Sequence, residues 1–396
     1  MMAQMTSFVA SCCWALQSRR RTIATAAAGF TAFVNLYALQ SILPLLAEVF
    51  ATDHHGVSLS VGATTLAVAL ASPLAGWLVG RLPRRQLNAL AVAGLVICGL
   101  NVAAASTLPE LIAWRFLQGL FLPLVIAGVM AFIAEEFPGP RVGRVMANYV
   151  AWTIIGGFAG RWLCGLMAAH QGWRGALLLL ALLNALSGLV LLLAVPQRPE
   201  SPLVRPPARG RDLVATLLRV ELWPAYLTGF CSLMTLTGVF TYITFYLAGP
   251  DFGLNPEQLG RMFCVYLLGI VVTPLMGRRL ARVGYAGTLR LAARLSLGGL
   301  LLTLIPRVES VLLGLALISM AAFASQSTAS SYIAQRGGEQ RSLASGLYCG
   351  FYYLGGCAGS VLPGFAWSAA GWPGCVLGYL LVQATIVRLA RAFGQG

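Results

Sequence analysis

The sequence predicts an all-α membrane protein: twelve transmembrane helices in two six-helix bundles that are parallel repeats of each other. Composition is the first reason. The 396 residues are 58% hydrophobic and only 10% charged, with a mean hydropathy of +0.78. A soluble domain carries about 25% charge, so this chain cannot coat itself for water, and a soluble enzyme is excluded. The second reason is segmentation into apolar runs that meet the roughly 20 residues a bilayer needs. The third is an internal duplication.

Apolar runs and their polar breaks place the spans at 23–48, 57–80, 87–106, 110–135, 145–169 and 174–195 in the first half. The second half holds 222–247, 257–277, 286–306, 309–335, 342–369 and 372–390. Span 1 follows the run Arg19, Arg20, Arg21, and spans 2 and 3 are parted by Arg81, Arg84 and Arg85. Glu135 and Glu136 close span 4, and Gly172-Trp173 parts spans 5 and 6. Most runs exceed the bilayer thickness, so tilt is expected.

Arginine tests the count. All 27 basic residues are Arg. With both termini on one side, 21 fall in its loops or the span ends beside them, 3 on the other (Arg174, Arg261, Arg307), and Arg115, Arg161 and Arg294 fall deeper within spans. One miscounted helix would reverse every later loop. The arginine-rich side is expected to be cytoplasmic. The resulting plan is a cytoplasmic N-terminal tail at 1–22, a bundle at 23–195, a Pro- and Arg-rich cytoplasmic linker at 196–221, a second bundle at 222–390 and a tail at 391–396. A short interfacial helix is expected near 211–219.

The two halves read as copies. GGFAGRWLCGLMAAHQGWRG at 156–175 matches GGCAGSVLPGFAWSAAGWPG at 355–374, without a gap. Gly156, Gly157, Gly160, Gly165, Gly172, Trp173 and Gly175 recur as Gly355, Gly356, Gly359, Gly364, Gly371, Trp372 and Gly374. Upstream, Pro73, Leu74, Gly76 and Arg81 match Pro274, Leu275, Gly277 and Arg282. Six spans separate the copies, so both keep one orientation. Such repeats place a binding site between the halves near mid-membrane, with rocking giving alternating access.

The loop Gly76-Trp-Leu-Val-Gly80-Arg81-Leu-Pro-Arg84-Arg85 resembles the G-x-L-x-D-R-x-G-R-R signature of the major facilitator superfamily of secondary transporters. Arg115-Phe-Leu-Gln118-Gly119 resembles that family's R-x-x-x-G element. GGFAGR with Gly165, and SGLYCGFYYLGG at 345–356, resemble its bacterial YnfM-type inner-membrane efflux branch. The resemblance covers 23–390 and implies a proton-coupled exporter of a small organic solute, monomeric, multi-pass in the bacterial inner membrane, with both termini cytoplasmic. It implies neither an enzyme nor a cofactor. A facilitative or importing carrier is the alternative, and a non-transporting receptor on the same fold a weaker one.

The chain departs from the signature where Gly80 replaces Asp. The gating loop (Gly76, Arg81, Arg84, Arg85 and, in the second half, Gly277 and Arg282) must then be latched otherwise. Glu135 and Glu136 are the candidates, against the plainer reading of surface charges that set topology.

Charges within spans are costly and mark function. Arg115 and Arg161 lie at similar depth, so they are expected to share one level of the cavity. Both lack a mid-span carboxylate partner. Either they attract an anionic group of the substrate or tune a proton site, or they serve structure, with Arg115 bonding carbonyls and Gln118 of its own bundle. By the resemblance, spans 1, 4, 7 and 10 line the cavity. They offer Asn35, Tyr37, Gln40, Gln118, Thr235, Thr237, Thr241, Tyr242, Gln326 and Ser327, and span 11 adds Tyr348, Tyr352 and Tyr353. This set suits a small amphipathic or polyol-like solute rather than a multiply charged one.

Gly156 and Gly160, and Gly355 and Gly359, have the i, i+4 spacing of close helix contacts. They are expected to form the sliding contact between halves. Nine Cys and three His form no metal-binding spacing. Without Lys there is no Walker loop, which disfavours an ATP-driven pump. The basic balance follows topology, so nucleic acid is not an expected partner.

Overall fold

The computed structural model describes residues 20–79, 81–137, 141–195 and 210–393. The N-terminal tail up to residue 19, Gly80, and linker residues 196–209 lie outside them. The described residues form helices without strands.

Helix α1 is a bent pair, Arg20–Phe33 and Ala38–Val49, at 44°. Helices α2 (His54–Val79), α3 (Arg84–Ala104) and α4 (Leu108–Glu136) follow. The next helical stretch, Arg141–Ala194, runs 54 residues. Straight, it would be about 81 Å long, far beyond the roughly 30 Å hydrocarbon core. It is a hairpin. Gly172, at φ 74° and ψ 170°, interrupts it. Gly156 and Gly160 on one arm pack on Phe30 and Val34. Asn184 and Ser187 on the other arm bond Thr31. Segments about equally far from Gly172 thus flank one level of α1, and the arms are α5 (141–171) and α6 (173–194).

The second half repeats the plan. Helix α7 is Trp223–Ala248. Helix α8 begins at Pro256–Met262, tightens into a 3-10 turn at Phe263–Leu267, and continues in Leu268–Leu302 up to Gly284. There φ is 70°, and α9 (285–302) departs. Helix α10 is Val308–Arg336. Helix α11 spans Arg341–Val361 and the first turns of Pro363–Ala392. Gly371, at φ 58°, turns the chain into α12 (372–392). A left-handed φ suits Gly because no Cβ clashes, which explains why each turn carries one.

Taken by length alone, eight stretches among the described residues can cross a membrane, or nine with the bent pair. The hairpins and broken helices raise this to twelve crossings. The exterior fits a lipid solvent: on α6, Leu182, Leu186, Leu189 and Leu193 form a stripe 51–72% exposed. In water such a patch invites aggregation. The short helix Gly210–Leu217 docks onto the α10–α11 loop, where Thr216 bonds Gln340 and Arg219 donates to the carbonyls of Arg336 and Gly337.

The duplicated glycines correct one expectation. A Cβ on Gly156 or Gly160 would meet the main chain of Phe30 or Val34, and one on Gly355 or Gly359 that of Phe230 or Met234. These seams bind α5 to α1 and α11 to α7, within each half. They do not form the sliding contact. The i, i+4 spacing fixes that a helix approaches closely, but not which helix. Phe30 and Val34 correspond to Phe230 and Met234, so the repeat extends into α1 and α7.

The halves meet elsewhere. Along α2 and α11, Gly62 faces Val361, Ser360 and Cys357, Gly364 faces His55, and Ser72 lies 3.8 Å from the Cys349 sulfur. Along α5 and α8, Gly165 faces the carbonyl of Pro256, and Gly260 faces those of Arg161 and Trp162. Gly165 and Gly364 are repeat counterparts. Both lie toward the end bearing few arginines, where the halves are closely apposed.

Candidate functional site

The sequence-predicted residues separate into distinct groups. Arg115, Gln118 and Asn35 lie inside the first half. The break in α1 leaves the Leu36 carbonyl without a main-chain donor and the Asn35 carbonyl with only a 3.5 Å contact from Ala38 N, and Arg115 takes both. Its guanidinium donates to the carbonyls of Asn35 (3.0 Å) and Leu36 (2.8 Å) and to Gln118 Oε1 (2.6 Å). Gln118 Nε2 in turn donates to Leu95 O at 3.3 Å. Beside them is a cavity of about 10 Å³, room for about one water. Arg115 Nε and Asn35 Nδ2 are buried there without a protein partner. Arg115 is 3% exposed, and it splints α4 to α1. It does not share a cavity with Arg161, because equal depth along two helices leaves their facing directions independent.

Arg161 is the centre of the second group. It is 2% exposed and stands where α5 meets α1 and α8. Its Nε donates to Gln40 Oε1 at 2.8 Å, and a terminal nitrogen donates to Gly157 O at 2.7 Å. Three ring faces enclose the guanidinium: Tyr37 at 4.9 Å, Phe263 at 5.0 Å and Tyr266 at 4.7 Å. Tyr37 comes from the broken stretch of α1, and Phe263 and Tyr266 from the 3-10 turn of α8. Both are irregular segments at mid-helix, which often mark hinges. Gln40 continues the network across the halves. Its amide donates to Thr237 O (3.2 Å) and Thr241 Oγ1 (2.9 Å) on α7. Among the described residues, no carboxylate pairs with Arg115 or Arg161.

The remaining candidates are dispersed. Thr235 sits inside the second half, accepting from Gln383 at 2.8 Å. Gln383 is the repeat counterpart of Asn184, which clasps α6 to α1. Tyr242 is buried near the arginine-poor end, its hydroxyl donating to Ser360 O at 3.0 Å. Tyr352 stacks on Tyr348 at 6.0 Å and meets Tyr353 edge-on at 5.5 Å, and Tyr348 donates to Gln326 O at 3.4 Å. Phe263 and Tyr266 were not anticipated: span 8 carries no charge or repeat match at that position. The third in-span arginine, Arg294, is exposed.

At the arginine-rich end, Glu135 pairs with Arg84 and Glu136 with Arg21 (2.9 Å). Both pairs lie within the first half. Arg81, Arg85 and Arg282 are exposed, and Gly76 and Gly277 lie within α2 and α8.

Twelve crossings in two repeated halves, with a buried cation at their junction, is the plan of a secondary transporter. The sequence matches the family model of the Major Facilitator Superfamily over residues 25–382. The chain belongs to the Major Facilitator Superfamily. It is 29% identical over 363 residues to the uncharacterized MFS-type transporter YybF of Bacillus subtilis, covering 90% of this chain and 89% of that one. It is 28% identical over 382 residues to the inner membrane transport protein YnfM of Escherichia coli, with 94% and 90% covered. A bacterial homologue of the human lysosomal transporter Spinster, in an inward-facing unoccupied conformation, superposes with a TM-score of 0.80 at 14% identity over 96% of this chain and 98% of that one. This MFS protein is thus a multi-pass membrane transporter and not an enzyme.

Proposed function

We propose that this transporter exports a small amphipathic organic solute across the bacterial inner membrane by alternating access, driven by protons. We further propose that the solute carries a single anionic or electron-rich group that approaches Arg161. One observation carries the substrate reading: Arg161 is a buried cation without an anion, placed where both halves converge. A guanidinium keeps its charge, and removing it from water is costly. Here only neutral oxygens and rings compensate, at about 0.5–2 kcal/mol per ring. The positive potential between the halves is left for a solute to meet. One arginine does not match a multiply charged solute, and the surrounding tyrosines favour an amphipathic one.

Export and proton coupling are supported by the resemblance to the efflux branch, and the inner membrane by YnfM. A second reading, facilitated transport without protons, is favoured by one fact: no Asp or Glu lies mid-span. Screening an efflux-deficient strain against toxic aromatic acids, neutral polyols and cations separates the two. The expected result is lowered accumulation of monoanionic or neutral compounds, abolished by an uncoupler and by Arg161→Met. Protection against cations alone would overturn the substrate reading. Protection that survives the uncoupler would overturn proton drive.

A further inference from the structure

With no carboxylate mid-span, a proton must act elsewhere, and the histidines share one address. All three in the chain (His54, His55, His170) lie at the arginine-poor end, against the opposite half. His170, at the end of α5, faces Glu257 of α8 at 3.7 Å. His54 and His55 open α2. The His54 ring stands edge-on to Phe245 of α7 at 4.6 Å and 5.2 Å from Trp367 of α11. His55 lies 4.8 Å from Phe365 of α11. Its Nδ1 is buried without a hydrogen-bond partner and fills the slot left by the missing side chain of Gly364. At the counterpart Gly165, the same slot is filled by backbone of Pro256 and Gly260.

We propose that His54 and His55 form a proton-binding site in the gate at the arginine-poor end, and that protonation there releases α2 from α7 and α11. Binding converts an imidazole into an imidazolium with N–H groups on both ring nitrogens. In the closed seam the new Nδ1–H of His55 has no acceptor. A buried donor left without an acceptor bears its desolvation penalty, and here that donor is the enclosed side of the ring. Once the seam parts, the ring reaches water and the charge is solvated.

The groups facing this pair are few. Helix α11 presents Gly364, Phe365 and Trp367, none of which titrates. Helix α7 presents Tyr242, whose hydroxyl reaches the same Gly364 slot as His55 Nδ1 and already donates to Ser360 O. The preceding loop holds Asp53, whose carboxylate accepts from the Gly56 N–H at 2.8 Å. Asp53 favours an imidazolium in either state, so it does not hold the seam shut. On the other seam, protonated His170 would tighten onto Glu257. The His170 side chain is 65% exposed, and exposed pairs are weak. The half-buried pair, with the His55 Nδ1 enclosed in the seam, therefore decides the sign: acid opens this gate.

The site supplies the proton group that the proton-coupled reading lacks, but the gate motion is measurable without substrate. Spin labels at Ala51→Cys, in the turn leading into α2, and Ala369→Cys on α11, in a background without reactive native cysteines, would report the separation of the two helix ends in lipid nanodiscs by electron–electron resonance. At about pH 8 one short distance is expected. At about pH 5 a longer population should rise at least fivefold. His55→Gln should hold the short distance at both pH values, and His170→Gln should leave the opening intact. Opening that persists in the His54→Gln, His55→Gln double variant would overturn the proposal. Should those variants fail to insert, the unsubstituted histidines still decide. No pH dependence would overturn it. Failure to find an exported solute would leave it standing.

Discussion

Arg115 on α4 donates to two main-chain carbonyls and a glutamine, all within one half. Arg161 on α5 is bonded to Gln40 and a carbonyl of its own half, and faced by rings from both halves. The two are equally buried, and neither meets a carboxylate. What differs is whether their partners stay put when the halves rock. Those of Arg115 move with it as one body. Those of Arg161 are divided between bodies, so under the proposed alternating access its environment would change. Burial of a charge in a membrane protein therefore says that something must compensate it. The placement of the compensating groups says whether the charge builds the scaffold or works the mechanism.

The sharpest way to break this comparison is to remove each charge. Arg115→Met leaves the Leu36 carbonyl and Gln118 Oε1 unsatisfied and the Asn35 carbonyl with only the long contact from Ala38 N, at about 1–3 kcal/mol for each unsatisfied group. Size-exclusion chromatography in mild detergent should show little folded protein. Arg161→Met should chromatograph as a monodisperse peak and fail in transport. The reverse pattern would invert the assignment.

Next in size are the glycine contacts. Gly160→Leu and Gly359→Leu drive a side chain into the main chain of Val34 or Met234, with overpacking of about 1–3 kcal/mol or more. Each should lower the thermal midpoint in detergent by several degrees. Gly165→Ala strains the contact between halves instead. It should leave the thermal midpoint nearly unchanged while lengthening a spin-label distance across the halves between Gln171→Cys and Asp251→Cys.

Gln40→Leu removes the acceptor of Arg161 Nε and the donor to Thr241 together. A loss of about 1–3 kcal/mol is expected to fall on transport, measured as flux in proteoliposomes, with the bundles intact. The smallest effect is expected for Glu135→Gln. Its partner Arg84 lies in the same half, and a surface pair contributes about 0–1 kcal/mol. Thermal midpoint and flux should both stay close to those of the unmodified chain.

Much of the scaffold was legible in the residues. Apolar run length set the spans, arginine set their alternation, and the repeated Gly-Trp pairs at 172–173 and 371–372 marked two of the tight reversals. Facing direction was not legible. Counting inward from a helix end gives depth, whereas each residue also turns by about 100° around the axis. Arg115 and Arg161 were thus placed at one level without any sign that they point into different spaces. The glycine seams failed to reveal their partners for the same reason. The break in α1 carries no proline at residues 34–37, so no local residue type announced it. Phe263 and Tyr266 acquire meaning only through the cation that α5 sets before them. The histidines could have been noticed from topology alone, since all three flank arginine-poor turns.

The central claim is that Arg161 occupies the moving junction between two rigid halves. The most direct test compares two spin-label distances in nanodiscs, with and without Arg161→Met. Labels at Gln171→Cys and Asp251→Cys span the halves, while Gln171→Cys and Ser106→Cys stay within the first. The account predicts that Arg161→Met broadens and lengthens the first distribution and leaves the second superimposable. An unchanged distance between halves, or a matching change within the first half, would contradict it.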